Sequence, residues 1–450
     1  MIEPFADRLD SSEDGSRETM VANAEPTKEF FIEMLVKDIQ LIRAIIDLVD
    51  NCVDGARRMR PSGNFDGLTI GLSTKNEEFS VQDNCGGIPL GTARSYAFRF
   101  GRPSDAENLD HSVGQFGVGM KRALFKLGSK FHIESGTSLD HFKIDCDVAL
   151  WKSKPDWTFD FAIASNEPGE NIGTKILVSD LHKSVKDDFG LENFQSELAR
   201  SIRDAHIDSL EAGLSIMFNG NQLTFEPLTL MSSEILKPAL FETLIEEEEG
   251  AQPISVRIYA GLGESDPQRA GWNAFCNGRL VLGSDQTEAT GWGEGNGKTI
   301  PKFHNQYATF RGYVFFDCND ASRLPWNTTK TGVDLDSSTF KAIRAEMIKL
   351  MRPVINFLNH LDKEKENPDD QRPLHDAVGG MKCVTIKETS TSGKFEYPQP
   401  KPRKKTPRSG RIQYNKPIER INIAKKILDI KTHREVGSLT FDYYFDRECT

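Results

Sequence analysis

Asp47, Asp50, Asn51 and Asp54 fall at i, i+3, i+4 and i+7 of one helical pattern, so three carboxylates and an amide share a helix face. Carboxylates this close repel one another unless solvent or a cation compensates. Taken alone the pattern fits an ordinary solvated face, but an oxygen-rich stripe also suits Mg2+, which commonly shares its shell with substrate phosphates. A second group, Asp83-Asn-Cys-Gly-Gly-Ile-Pro89, directly follows a strand pattern. Its paired glycines permit positive φ and close backbone approach to a ligand. A carboxylate at a strand end can accept a hydrogen bond from an exocyclic amine, although an Asn/Gly turn reads the same way. The third group is Gly114-Gln-Phe-Gly-Val-Gly-Met-Lys121, which opens a helix. Glycines before a helix N-terminus expose backbone N–H groups where anions are favoured, and Lys121 adds positive charge. No clean strand leads into this loop and it lacks a Gly-Lys-Ser/Thr ending, so it is neither a Rossmann fingerprint nor a P-loop.

The elements that must carry these groups follow from periodicity. A helix is expected from about Lys28 to Met59, with Leu41, Ile45, Leu48 and Cys52 forming a buried stripe widened by Ile42, Ile46, Val49 and Val53. A strand hairpin follows at Leu68–Leu72 and Phe79–Gln82, then glycine-rich loops from Asp83 to Gly119 with one short helix. A helix at Met120–Leu127 leads into strands at 130–135 and 141–149, and a further strand at Lys175–Ser179 starts after Gly173-Thr174. Together these predict an α/β sandwich of mixed strands with helices on one face. Strands near 254–260, 273–282 and 309–317, then a helix at Asp336–Leu361, predict a second α+β unit. Residues 364–415 are rich in Pro, Lys, Ser and Thr and read as a linker. A closing helix-strand unit combines an amphipathic helix (Ile418, Ile421, Ile423, Ile427, Leu428) with the run Leu-Thr-Phe-Asp-Tyr-Tyr-Phe.

Composition limits the options. A chain of 450 residues with 38% hydrophobic and 27% charged residues is expected to be a soluble globular protein of two or three domains. No apolar run is long enough to span a bilayer, and the polar, acidic stretch Met1–Glu18 is not a secretory signal. Seven cysteines without a CxxC pair indicate neither a zinc site nor a disulfide framework, and free thiols in a reducing cytoplasm are expected. The net charge of −11 argues against coating nucleic acid over the whole surface. One local basic segment stands out: Lys401, Arg403, Lys404, Lys405, Arg408 and Arg411 occur with no acidic residue among them.

Order and spacing join the three groups. A polar-striped helix with Asn51, an Asp-x-x-Gly-Gly turn, a glycine loop, and Gly173-Thr174 opening a strand resemble the four motifs of the GHKL ATPases (gyrase B, Hsp90, histidine kinases and MutL) over residues 26–225. The resemblance implies a Bergerat-type α/β sandwich that binds ATP and Mg2+. It implies that Asn51 chelates the metal and that Asp47 stands where the family has its water-activating glutamate. It further implies that Asp83 binds the adenine amine, with Gly87 and Ile88 beside the base and Thr174 supporting it through water. Asp54 and the loop residues Gly114, Gln115, Phe116, Gly117, Val118, Gly119, Met120 and Lys121 would complete the nucleotide site, the last eight closing an ATP lid that spans about 98–119.

Two departures matter. Asp47 is one methylene shorter than glutamate, so slow hydrolysis is expected, and Asp50 is a neighbour able to share the role. Cys85 replaces the first glycine of the usual Asp-x-Gly-x-Gly, and Gly86 is expected to supply the missing flexibility.

Phe275-Cys-Asn-Gly-Arg-Leu-Val281 and Leu324-Pro-Trp-Asn-Thr-Thr-Lys-Thr-Gly-Val333 resemble the S5-like transducer domain of gyrase B, MutL and MORC proteins, with prokaryotic MORC-like and MutL-like ATPases as the nearest type. That likeness implies that Lys330 is presented to the γ-phosphate. The organisation expected is therefore α+β throughout: a tail or dimer strap at 1–25, the ATPase domain at 26–225, a transducer at 226–363, a basic linker at 364–415 and a small unit at 416–450. The function implied is a slow, Mg-dependent ATPase working as an ATP-dependent homodimeric clamp. DNA would bind through 401–411 and a companion protein through 417–450, with no membrane involved. DNA repair, chromosome handling and anti-phage defence are the settings considered. An Hsp90-like protein-remodelling or signalling ATPase and a non-hydrolysing ATP sensor are the alternatives.

Overall fold

The computed structural model describes residues 26–75, 77–101, 113, 118–246, 252–295, 299–327, 329–365, 372–398 and 412–449. The chain divides into two units, Met1–Pro398 and Gln399–Thr450.

The first half of the larger unit is a helix-covered sheet. In chain order it contains α1 (Lys28–Lys37), α2 (Leu41–Met59), β1 (Thr69–Ser73), β2 (Phe79–Asp83), a short α3 (Leu90–Thr92) that runs on into a wider turn at Ala93–Ala97, and α4 (Gly119–Leu127). Then come β3 (Gly128–Gly136), β4 (His141–Asp147), α5 (Val148–Ser153), β5 (Phe161–Ser165) and β6 (Gly173–Leu181). The helices α6 (Lys183–Phe189), α7 (Glu192–Ala205) and α8 (Ile207–Glu211) precede the edge strands β7 (Ser215–Phe218) and β8 (Asn221–Gln222). The sheet order is β5-β4-β3-β6-β2-β1-β7-β8. Only the β1–β7 pairing is parallel, so the sheet is mixed as expected.

Period-2 patterning turns Ile70, Leu72, Phe79, Val81, Ile133, Ile176 and Val178 into a single buried layer. Against it lies the α2 stripe of Ala44, Ile45, Leu48, Val49, Val53 and Ala56, also buried. The helix expected over Lys28–Met59 is in fact two. Thr27 caps α1 by accepting from Phe30 N, and the chain leaves helical geometry before an extended Gln40. Neither Pro nor Gly marks this break in the sequence; it turns Ile39 into the core, where it is buried.

The second half of the larger unit starts with β9 (Thr229–Ser232) and β10 (Ala239–Ile245), followed by β11 (Ile254–Leu262), β12 (Gly271–Cys276), β13 (Arg279–Asp285) and β14 (Phe310–Asp317). The long helix α9 (Ser338–Glu364), then α10 (Pro373–Gly379) and β15 (Lys382–Thr385), complete it. Five strands form a sheet in the order β10-β11-β14-β12-β13, and β15 pairs with β9 in a separate ribbon. The central strands β11 and β14 are buried along nearly their whole length, as expected for a sheet covered on both faces. One face packs Val256, Ile258, Val314 and Phe316 with Phe340, Met347, Met351 and Val354 of α9. The other gathers Tyr259, Phe275, Tyr313 and Phe315 around Leu230 of β9.

Two expectations change here. The described part of the 364–415 stretch is folded rather than a linker: Leu374 and Phe395 are core residues, and Lys237 and Ala239 form bridges with Glu396 and Ser392. Its polar composition hid the few apolar anchors that dock it. In the smaller unit, the run read as a strand lies within a helix. That unit contains α11 (Ile418–Leu428) and α12 (His433–Glu448). Thr432 and Glu435 form a reciprocal capping box that starts α12, and no strand partners it among the described residues. Neither helix buries a residue. Residues 1–25 and the basic segment 401–411 lie outside the described residues.

Candidate functional site

A pocket of roughly 410 Å3, open to solvent, lies between α2 and the sheet. Its wall includes Asn51, Cys52, Gly55 and Arg58 of α2, Asp83 at the end of β2, Cys85, Gly87 and Ile88 in the following turn, Met120 of α4, and Thr174 and Ile176 of β6. Its walls are mainly apolar with few polar groups, as small-molecule sites are.

One end is built around Asp83. Its Oδ1 accepts from Cys85 N at 2.8 Å and from Thr174 N at 3.3 Å, which orients the carboxylate at the strand end. Burial pushes the Asp83 carboxyl above its usual value, against these hydrogen bonds and one from the Cys52 thiol. Thr174 Oγ1 lies 2.9 Å from Ser135 Oγ, and Ser135 Oγ accepts from Ile88 N at 2.8 Å. A fully buried serine thus ties the Asp83 turn to β6.

The irregular glycine motif has a clear physical reading. Gly86 and Gly87 take φ of +93° and +70°, while Cys85 is not among the residues with positive φ. The two glycines present are therefore the two the backbone needs, and the expectation for Gly86 holds. At Gly87 an added methyl would lie 2.9 Å from the Gly136 carbonyl carbon and nearer still to its oxygen. The turn packs backbone against backbone.

Of the polar stripe on α2 only Asn51 lines the pocket, and its members behave differently. Asn51 is exposed on the pocket wall. Asp47 is buried, with Oδ2 held by Arg122 Nη2 at 2.6 Å and Oδ1 lying 3.9 Å from Lys330 Nζ. A methyl added at Gly119 would sit 3.2 Å from Asp47 Oδ2, so Asp47 lies at the mouth of α4. That helix opens without a side-chain cap from Val118, which leaves its first amides suited to an anion. Asp50, a possible co-base from sequence, is fully buried and committed. Its Oδ1 accepts from Arg279 Nε at 2.9 Å and its Oδ2 from Lys330 Nζ at 2.8 Å. Burial alone would raise the Asp50 carboxyl, but Arg279 and Lys330 outweigh it and hold it well below the carboxylate range. A carboxylate so stabilised is a poor proton acceptor, so the idea that it shares the base role is set aside.

Lys330 sits in a tight hairpin between Trp326 and Val333, with its backbone at φ +52°. Burial disfavours its charge, but Asp50 and Asp47 more than compensate, so the ammonium is held above its usual value. His206 Nε2 lies 3.3 Å from Asp50 Oδ1 without hydrogen-bond alignment. Burial drives its pKa down to about 3, so it is a neutral neighbour.

Two expected ligands point elsewhere. Lys121 is buried and donates to Ala97 O at 2.9 Å, and burial lowers its pKa to about 7. It is the next residue, Arg122, that reaches the acidic face. Asp54 accepts from Val113 N at 2.7 Å, so it anchors the chain just before the glycine loop instead of lining the pocket. Gly114, Gln115, Phe116 and Gly117 lie outside the described residues. Arg122, Ser135 and Arg279 were missed as site residues. Arg279 stands inside a motif the sequence displays and Arg122 directly follows one, whereas Ser135 has no local signature.

Residues 39–174 match the family model described as histidine kinase-, DNA gyrase B-, and HSP90-like ATPase. The match supports a GHKL-type, ATP-binding ATPase domain. It ends on Thr174, and it takes in α2, the Asp83 turn and the glycine loop. A search of curated proteins finds no match to the chain. Among the described residues no three His, Cys, Asp or Glu side chains converge as a metal site. Mg2+ usually keeps several waters and binds through one or two protein oxygens plus substrate phosphates, so the exposed Asn51 amide on the pocket wall would suit one such position. No described helix is long and apolar enough to cross a membrane.

Proposed function

We propose that this protein hydrolyses ATP with Mg2+, and that the five-stranded sheet is a transducer which senses the terminal phosphate. The observation that carries this reading is a pocket lined by both Asp83 and Asn51, with Lys330 of the Trp326–Val333 hairpin paired to the neighbouring Asp50 and Asp47 of the same helix. Asp83 would accept a hydrogen bond from the adenine amine, and Gly87 would allow the base to approach the backbone. Asn51 would hold Mg2+, which screens phosphate charge. Asp47, fixed in orientation by Arg122, would take a proton from the attacking water. Lys330 would stabilise charge developing on the transferred phosphoryl group.

In the fuller form of the reading, ATP orders the lid and two chains close as a clamp, in the manner of MORC-like and MutL-like ATPases. The 401–411 segment supports DNA as the client, because clustered Lys and Arg bind phosphates with strong salt dependence. A specific observation favours a second reading, a non-hydrolysing sensor. Asp47 is both shorter than glutamate and already engaged by Arg122.

ATP turnover by the purified chain, with and without DNA, tests both. Turnover abolished in Asp47→Ala and Asn51→Ala, and stimulated by DNA in wild type, supports the clamp. ATP binding with no turnover selects the sensor. Absence of ATP binding by wild type refutes both.

A further inference from the structure

The charges around Asp50 are the least exposed polar cluster near the pocket. Asp50, Arg279, Lys330 and His206 are all nearly inaccessible to solvent. They come from different parts of the larger unit: Asp50 from α2, His206 from the junction of α7 and α8, Arg279 from the start of β13, and Lys330 from the Trp326–Val333 hairpin. The Asp50 carboxylate is divided between two cations, with Arg279 on one oxygen and Lys330 on the other. Arg43 and Arg57 add positive charge nearby, and Asp47 with Arg122 lies on the other side of Lys330.

The two cations differ in freedom. Arg279 also donates to Leu280 O at 2.7 Å and follows a left-handed turn, Asn277 at φ +46° and Gly278 at φ +70°. The turn is itself pinned. The Asn277 side chain donates to Cys318 O and accepts from Cys318 N, and Arg57 donates to Asn277 O at 2.6 Å. Lys330 hangs from a hairpin by a flexible four-carbon stem, and its ammonium lies between Asp50 and Asp47.

We propose that Arg279 is a positioning residue that acts through Asp50: by taking half of that carboxylate, it leaves the Lys330 ammonium free to be shared with a terminal phosphate. The proposal rests on the ATPase reading above and deepens it. In a water-poor site an isolated Asp50–Lys330 pair would hold its cation tightly, because Coulomb attraction is weakly screened there. Arg279 competes for the same negative charge and so loosens Lys330 without moving itself. When a γ-phosphate draws Lys330 across, Asp50 stays neutralised by Arg279 and no bare charge is left buried. Recognition of the γ-phosphate is thereby tied to the β12–β13 hairpin.

The test compares the affinities of full-length wild type and Arg279→Met for ADP and for the non-hydrolysable ATP analogue AMPPNP, by calorimetry in Mg2+. ADP lacks the γ-phosphate and serves as the internal control. In Arg279→Met the preference for AMPPNP over ADP should fall by about tenfold, within the usual span of coupling between sites, with ADP affinity nearly unchanged. Arg279→Lys should recover most of the preference. Equal changes in both affinities, or an unchanged preference, would mean that Arg279 only supports the fold, and would overturn the proposal. If Arg279→Met does not fold, Asp50→Asn/Arg279→Met removes both buried charges together and should keep at least the wild-type preference. A double variant that loses the preference overturns the proposal too. Wild type that binds neither nucleotide would refute the ATP-binding reading itself, a distinguishable result.

Discussion

Gly87→Ala should separate two costs that usually arrive together. Gly87 has φ +70°, where an L-residue loses about 1–2 kcal/mol. Its new methyl would also press on the Gly136 carbonyl and lie 3.2 Å from the Gly173 carbonyl oxygen, and both are backbone atoms that cannot rotate away. Overpacking of that kind costs about 1–3 kcal/mol, for a combined loss of about 2–5 kcal/mol. Gly67 is the control. Its φ is +81°, yet nothing lies within 4 Å of where an added methyl would sit, so Gly67→Ala should cost only the backbone part, about 1–2 kcal/mol. Urea unfolding of both variants gives the difference directly as a shift in midpoint. ATP titration of the surviving native Gly87→Ala protein should also show weakened binding, because the turn must retreat from β3 and β6. If Gly87→Ala proved no more destabilising than Gly67→Ala, the close backbone packing inferred at the base end of the pocket would be refuted.

Two further outcomes follow from the site. Asp83→Asn removes a charged acceptor worth about 1.5–3 kcal/mol, so ATP affinity should fall by about tenfold to a hundredfold. Selectivity for ATP over GTP should fall with it, since guanine offers no amine at the equivalent position; unchanged selectivity in competition binding would remove Asp83 from base recognition. Lys121 has its pKa lowered to about 7 by burial, so between about pH 7 and 10.5 the native state carries fewer protons than the unfolded chain. Stability should therefore rise with pH across that window and be lowest below it. Lys121→Met should flatten the rise and stabilise the protein near neutrality by on the order of a few kcal/mol. A denaturation midpoint in the variant that follows pH as in wild type would argue against a neutral buried Lys121.

Much of the site was legible because it is local. The i, i+3, i+4 and i+7 spacing puts Asp47, Asp50, Asn51 and Asp54 on one face whatever surrounds the helix, and paired glycines after Asp83 announce a backbone that must reach positive φ. Period-2 and period-3.6 patterning likewise located five strands of the first sheet, β11 and β14 of the second and the long helix α9, but read the β12–β13 hairpin as one strand at 273–282. What local pattern left open was decided by partners distant in sequence. The four oxygen-bearing residues of α2 look alike in sequence, yet they part company once folded. Asn51 faces the pocket, Asp54 holds Val113, Asp47 meets Arg122, and Asp50 is enclosed by Arg279 and Lys330, 229 and 280 residues further on. Lys121 and Arg122 are adjacent, but a helix turns successive side chains about 100° apart. Only the packing of α4 against its neighbours determined which of them would be buried and which would reach Asp47. The break at Asp38–Gln40 and the helical course of 433–448 were tertiary outcomes in the same sense: Ile39 is drawn into a core, and a capping box wins where no strand is present to pair. The sequence determined which chemistry the chain could carry, since residue type and short spacing settle that. The roles of individual carboxylates waited on the fold, because a charge is defined by its neighbours, and these neighbours come from α4, β13 and the Trp326–Val333 hairpin.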